Sequence, residues 1–154
     1  FGRAIYNFKG EVICSDSYHK KGDAATQYNC EPYLNSKKPR LEPNTSFDLC
    51  RLGCSLYDFF VDDEELDEPF PNPLSVLISE WTTDDKGRNI LYKKDGEERY
   101  PDFKLYKMIA RTVHKHTPQN QLNNPLFKKF SVSRKKISKK SKIFNIDKLP
   151  SYVD

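Results

Sequence analysis

The most restrictive feature of this chain is one helical stretch that is apolar on almost every face. Asn44-Thr45-Ser46 offers N-cap residues, and Thr45 with Asp48 has the spacing of a capping box with an acid in the first turn. A helix that is hydrophobic all round is normally buried. We therefore expect a core helix, with other helices packed around it, from the run of apolar residues Phe47, Leu49, Cys50, Leu52, Cys54, Leu56, Tyr57, Phe59, Phe60 and Val61.

The composition indicates that this helix belongs to a domain with a modest core. The mean hydropathy of -0.81 and the apolar fraction of 36% are low for an independent globular unit of 154 residues. Aromatic residues make up 13% of the chain, which argues against simple disorder. We therefore expect marginal stability and a face that packs against a part of the protein outside this chain.

The remaining periodic segments predict a mainly α fold with small β-hairpins. Pro73 to Trp81 is predicted to form a helix, because Leu74, Leu77, Ile78 and Trp81 have the spacing of one helix face. The long segment 15–43 has no sustained period, and loops of that length are usually functional. The other predicted elements are a hairpin over 1–14 turning at Gly10, a hairpin over 88–100 turning at Asp95-Gly96, a helix over 102–115 and a short helix over 120–130.

The positive charge is concentrated at the end of the chain. The net charge is +4, and residues 128–154 carry nine Lys or Arg against two Asp. A basic tail can bind nucleic acid, but 131–142 has no interleaved aromatic residue to stack on bases. This pattern argues against specific nucleic-acid binding and favours a solvated extension.

Several site classes have little support in the sequence. No apolar run approaches the roughly 18 residues of a membrane span. The cysteines Cys14, Cys30, Cys50 and Cys54 form no Cys-x-x-Cys pair, so reduced thiols in an intracellular protein are favoured over a zinc site. His114 and His116 at a predicted helix end favour exposed capping residues over metal ligands.

Five short motifs follow one another in a fixed order along the chain: Phe1-Gly2, Ala25-Thr26-Gln27-Tyr28, Asn29-Cys30-Glu31-Pro32, Asp48-Leu49-Cys50-Arg51-Leu52-Gly53 and Leu122 to Phe130. In this order they resemble the C-terminal lobe of a protein kinase, and the resemblance extends over about residues 1–130. They resemble, in turn, the end of an Asp-Phe-Gly motif, the substrate-docking loop, Ala-Pro-Glu with its last two residues reversed, the start of the central helix and the domain end. The segment up to Tyr33 resembles an activation segment, and segments 23–32 and 100–113 resemble Ser/Thr kinases of large nucleocytoplasmic DNA viruses.

The resemblance implies a division of the chain and roles for its residues. Residues 1–43 would hold the motif end, activation segment and docking loop, 44–130 the helical lobe, and 131–154 the basic tail. Phe1 would pack against the regulatory helix and set the active arrangement, and Gly2 would belong to the end of the same motif. Thr26 would contact the catalytic Asp of an upstream loop and help seat the acceptor hydroxyl. Asp48 would accept backbone hydrogen bonds from that same loop.

Each role has an ordinary alternative. Thr26 could be a plain loop residue, and Asp48 could cap its helix or pair with Arg51 at i+3. The Arg expected to pair with Glu31 near the domain end is absent from the sequence. His116 or Lys115 are possible substitutes, and Arg111 is a weaker one.

The resemblance implies an enzyme that transfers the ATP γ-phosphoryl group to protein Ser or Thr hydroxyls with Mg²⁺. Its partners would be a protein substrate and ATP, with no membrane, in the host-cell cytoplasm or in association with the virion. The catalytic and metal-binding Asp would precede Phe1, so this chain alone is expected to be inactive and to bind no cofactor. The alternative is a pseudokinase or scaffold that keeps only a protein-binding surface. Ser15, Ser17 and Tyr18 are candidates for regulatory phosphorylation by their position alone.

Overall fold

The computed structural model describes residues 5–14, 21–62, 72–137 and 142. The described chain is mainly helical, which confirms the predicted fold class at that level. Its strands are β1 (Ile5–Phe8) and β2 (Glu11–Cys14). Its helices are α1 (Thr45–Tyr57), α2 (Pro73–Trp81), α3 (Phe103–Thr112), α4 (Pro118–Gln121) and α5 (Pro125–Lys128), with a π-helical turn over Asp58–Asp62 and a 3-10 turn over Arg134–Lys136.

The first two strands form the predicted antiparallel hairpin. Pairing runs from Ile5 opposite Cys14 to Phe8 opposite Glu11, so Lys9 and Gly10 form a two-residue turn. Both turn residues have positive φ, 52° and 81°. Two positive φ values match the twist of a hairpin, and Gly10 adopts one of them without steric cost.

The N-cap of helix α1 lies one residue before Thr45, the first residue of the predicted capping box. The Asn44 side chain accepts a hydrogen bond from the Phe47 backbone N–H at 3.1 Å, which makes Asn44 the N-cap. Thr45 is already the first helical residue, so the predicted Thr45 capping box is wrong. The cap chemistry is the expected one, shifted to the neighbouring side chain.

Helix α1 lies between two apolar clusters. Cys50 packs with Ile90, Leu105, Ile109 and Val113, whereas Leu49 packs with Leu77 and Trp81. Adjacent residues of a helix point about 100° apart, so neighbouring positions can serve different clusters. The expectation of a central helix contacted by others is met, since α1 contacts α2, α3 and α4.

The expectation that α1 is buried on every face is wrong for this chain. One side of the helix is exposed along Asp48, Leu52 and Ser55, and the π-helical turn after α1 continues this side with Phe59 at the same spacing. Leu52 is 50% exposed and Phe59 is 70% exposed. The apolar residues on this side have no described element to cover them.

The segments after α1 follow the sequence prediction closely in α2 and α3, since α3 lies within the helix predicted over 102–115, and less closely elsewhere. Helix α2 has the predicted bounds, and Leu77, Ile78 and Trp81 are buried as expected. The predicted 88–100 hairpin is reduced to one bridge between Tyr92 and Glu98 around Gly96, which has φ of 83°. The hairpin turn is therefore present without extended strands.

The single helix expected over 120–130 is two short helices instead. Asn124 accepts from the Leu126 backbone N–H at 3.0 Å and caps α5. Pro125 follows in the first helical position, where its missing N–H costs nothing. An N-cap and a Pro together begin a new helix, so α4 ends before them. Beyond α5, residues 131–136 are exposed.

Candidate functional site

The predicted docking loop, Ala25 to Tyr28, is held by backbone turns and contains both buried and exposed residues. Backbone hydrogen bonds from Ala25 N to Gly22 O and from Gln27 N to Ala24 O form tight turns. Ala24 and Gln27 are buried, while Thr26 between them is exposed. The turn therefore presents the Thr26 side chain outward from the helical body.

Arg111 of α3 holds this turn from a position 85 residues away. Its Nη2 donates a hydrogen bond to the Thr26 carbonyl oxygen at 2.7 Å. A charged donor makes a stronger hydrogen bond than a neutral one. Arg111 was the weaker candidate for pairing with Glu31, and the structure gives it this different contact.

Asn29 organises the segment that follows. Its Nδ2 contacts the carbonyl oxygens of Asn35, Lys38 and Pro39 at 3.1, 3.1 and 2.8 Å, and its Oδ1 accepts from the Asn35 backbone N–H at 2.8 Å. The backbones of Asn29 and Leu41 also exchange two hydrogen bonds. No pattern in the sequence indicated this role of Asn29, although an Asn in a long aperiodic segment is a common centre of local backbone bonding.

Glu31 pairs with Arg40 and not with the residues considered from the sequence. The contact is bidentate, with Arg40 Nη1 3.0 Å from Oε1 and Nη2 2.5 Å from Oε2. Arg40 Nε also donates to Glu42. The hydrogen bond from Arg40 lowers the pKa of Glu31 below its usual range. The prediction that Lys115, His116 or Arg111 pairs with Glu31 is therefore wrong. Arg40, only nine residues further along the same loop, pairs with Glu31 instead.

This ion pair is exposed, with Arg40 and Glu31 side chains 53% and 62% accessible. Exposed pairs add little stability because water and salt screen them. We interpret the Glu31–Arg40–Glu42 contacts as fixing where the Arg40 side chain lies rather than as holding the fold together.

Residues between Ala25 and Leu41, together with Arg111 of α3, line a cleft of about 730 Å³. Thr26 and Arg111 line it together with the segment that Asn29 organises. Its lining residues are Ala25, Thr26, Tyr28, Asn29, Pro32, Tyr33, Leu34, Asn35, Lys38, Pro39, Arg40, Leu41 and Arg111. A hydroxyl, backbone groups, aromatic rings and cations can bind and orient an extended chain.

The structure brings some predicted site residues together and leaves others apart. Thr26 lines the cleft, and Glu31 adjoins it through Arg40. Asp48 lies exposed in the first turn of α1 and is not part of the cleft. Phe1 and Gly2, like Ser15, Ser17 and Tyr18, lie outside the described residues.

The alternative pairing of Asp48 with Arg51 is also wrong. Arg51 lies over the Tyr106 ring, with its guanidinium carbon 4.4 Å from the ring centroid. Its Nη2 donates to the Tyr106 hydroxyl at 3.2 Å. Arg51 thus links α1 to α3, and in the described part of the chain no ion pair includes Asp48.

The side chains of His114, Cys50 and Cys54 have local structural partners. His114 Nδ1 lies 2.7 Å from Asp85 Oδ2, and its backbone N–H donates to Asp85 Oδ1 at 2.9 Å. A hydrogen bond with Cys54, together with burial, raises the pKa of the Cys50 thiol, which therefore stays protonated. Among residues 5–14, 21–62, 72–137 and 142, no three His, Cys, Asp or Glu side chains are placed to hold one metal ion.

No helix in the described ranges is long and apolar enough to cross a membrane. Comparisons of the chain with protein-family models, curated proteins and solved structures find no match.

Proposed function

We propose that this chain is the substrate-docking part of the C-terminal lobe of a protein Ser/Thr kinase. The whole enzyme would transfer the γ-phosphoryl group of ATP to protein hydroxyls with Mg²⁺. The catalytic Asp and the residues that hold the nucleotide and the metal would lie upstream of Phe1. The order of the short motifs supports the proposal, and one structural observation carries it.

That observation is the exposed side of α1, a helix that otherwise lies at the centre of the described chain. It begins with the Asp48 carboxylate and continues through Leu52 and Ser55 to Phe59. A carboxylate that accepts backbone hydrogen bonds from an upstream loop must be accessible at this place. Burying a Leu or Phe side chain is worth about 1.5–3 kcal/mol, so a segment packed along this side would gain from both residues.

In this proposal the cleft would be the site where the substrate docks. Thr26 is exposed at its edge, and Arg111 fixes the Thr26 backbone against α3. Phosphoryl transfer depends mainly on positioning the acceptor hydroxyl in line with the phosphate. A docking loop held by a charge-assisted hydrogen bond to the helical body would supply such positioning.

The test uses the full reading frame that contains this chain, incubated with Mg²⁺-ATP and Ser- or Thr-containing proteins. We expect phosphate on Ser or Thr, and a loss of about tenfold or more in kcat for Asp48→Asn, since misplacing catalytic groups by about 1 Å can cost 10²-fold. Leu52→Gln should lower activity and stability of the whole protein but leave the urea midpoint of this chain unchanged. Val132→Gln, at another exposed apolar residue, in the tail, is the matched control.

A folded full-length protein that transfers no phosphate would contradict the kinase proposal. If that protein still captured a partner through the cleft, the pseudokinase or scaffold alternative would replace it. This chain alone should show no transfer above background, because it supplies the docking residues and not the reacting ones.

A further inference from the structure

The cleft beside Thr26 is lined by three cations and no acid. Lys38, Arg40 and Arg111 all line it, whereas its lining residues include no Asp or Glu. Coulomb attraction in a partly enclosed site is stronger than in bulk water because the effective dielectric constant is lower. The positive charge of the cleft therefore acts on any peptide that binds in it.

The three cations are not equally available to a ligand. Arg40 is held by Glu31 through both terminal nitrogens and by Glu42 through Nε. Arg111 uses Nη2 for the Thr26 carbonyl, and a guanidinium carries five N–H donors. In the described ranges no carboxylate forms an ion pair with Lys38 or Arg111.

The backbones of Lys38 and Arg111 are both held in place. The Lys38 carbonyl is one of the three that contact Asn29, and Arg111 lies in α3. Pro39, Tyr33 and Leu34 add apolar surface to the lining of the same cleft. A ligand that matched this cleft would combine an extended backbone, an apolar side chain and a negative charge.

We infer that the cleft binds acidic peptide segments, with Lys38 and Arg111 selecting Asp or Glu side chains close to the acceptor hydroxyl. The inference rests on the proposed function for its biological meaning, because it names the substrate class of that docking site. Its physical basis is charge complementarity at two placed cations. Thr26 would lie within reach of the same peptide, since it lines the same cleft.

Fluorescence anisotropy with this chain and labelled peptides tests the inference without any phosphoryl transfer. The probes are short peptides with one Ser flanked on both sides by Glu, or by Gln in the matched probe. We expect the Glu peptide to bind about tenfold more tightly, with a preference that shrinks at high salt.

Two charge reversals in adjacent residues locate the effect. Lys38→Glu should abolish the preference for the Glu peptide, whereas Lys37→Glu should leave it within about twofold, because Lys37 is exposed and does not line the cleft. Both sites are exposed, so both variants should fold, and circular dichroism checks this. Arg111→Lys keeps the charge and should retain at least half of the preference in binding free energy.

Equal binding of the Glu and Gln peptides, or an equal effect of Lys37→Glu and Lys38→Glu, overturns the inference. A full-length kinase that phosphorylates proteins without preferring acidic peptides would also overturn it, while leaving the proposed function intact. A Lys38-dependent preference in a full-length protein that transfers no phosphate would overturn the proposed function instead and retain the acidic-peptide site.

Discussion

Asp84 shows at the scale of one residue how a buried charge is accommodated in this chain. Its side chain is only 1% exposed, and Oδ1 accepts from the backbone N–H groups of Lys86 and Arg88 at 2.9 Å. Oδ2 accepts from Arg88 Nε at 2.9 Å. Burial raises the pKa of Asp84, but these hydrogen bonds together outweigh it and hold the pKa below its usual range.

The charged form of Asp84 is therefore expected to stabilise the fold. A carboxyl whose pKa is lower when folded contributes stability above its unfolded pKa and loses it as the pH falls through its folded pKa. Asp84→Asn should lower the free energy of unfolding by about 1–3 kcal/mol at pH 7. The difference between wild type and Asp84→Asn should shrink as the pH falls below about 4.

Urea unfolding at pH 7, 5 and 3 measures this difference. Asp95→Asn, in an exposed turn, is the control and should change stability little at any of these values. A difference between wild type and Asp84→Asn that is as large at pH 3 as at pH 7 would show that the charge of Asp84 is not responsible.

At the scale of elements, the crossing of α1 and α2 depends on a residue without a side chain. Gly53 is buried, and an ideal Cβ built on it would lie 3.0 Å from Trp81 Cβ and 3.1 Å from Thr82 Cγ2. These separations are tighter than ordinary carbon contacts. The absence of a side chain at Gly53 therefore permits the close approach of the two helices.

Gly53→Ala should destabilise the chain despite the better helix propensity of Ala. Propensity favours Ala by about 1 kcal/mol, whereas forcing α1 from α2 costs typically about 1–3 kcal/mol and also disturbs the Leu49, Leu77 and Trp81 cluster. We expect a net loss in thermal stability, measured by circular dichroism. Ser55→Ala on the exposed side of α1 is the control, and a more stable Gly53→Ala variant would contradict the described crossing.

The elements also show why sequence patterns predicted α2 better than the region after α3. In α2 the four apolar residues at helical spacing follow Pro73, and start and face agree with the structure. Over 120–130 the apolar residues are few, and the Asn124-Pro125 pair decided where a new helix begins. The N-cap and the Pro at the start of α5 therefore determined the helix boundary more strongly than the weak apolar period did.

At the scale of the whole molecule, a hydrogen bond between residues far apart in the sequence helps to join the docking loop to the helical body, beside the packing of the Tyr28 ring on Phe47 of α1. Arg111 and Thr26 are 85 residues apart and their hydrogen bond is exposed. Such a contact closes a long loop, and its loss should let the loop open without unfolding the helices.

Arg111→Gln should therefore increase chymotrypsin cleavage after Tyr33 or Leu34 by about fivefold, the effect expected for a hydrogen bond worth roughly 1 kcal/mol. The helical circular dichroism signal should stay unchanged. Lys104→Gln, an exposed cation elsewhere on α3, is the control. Equal cleavage rates for wild type and Arg111→Gln would mean that this contact does not hold the loop.

The candidate site was predictable only in part. The sequence pointed to Thr26 and Glu31 through short motifs, and both lie at or beside the cleft. It did not predict that Asn29 organises the loop or that Arg40 pairs with Glu31. Hydrogen bonds between side chains and distant backbone carbonyls leave no period in a sequence, because they depend on how the loop folds back on itself.

Local patterns along the chain were enough to predict the helical class, the bounds of α2 and the turn at Gly10, because period, Pro and Gly act locally. The exposed side of α1, the hydrogen bond from Arg111 to Thr26 and the cleft shared by Lys38 and Arg111 became evident only in the folded chain. These features depend on which surfaces meet after the helices pack, and packing between distant residues is not encoded in any single local pattern.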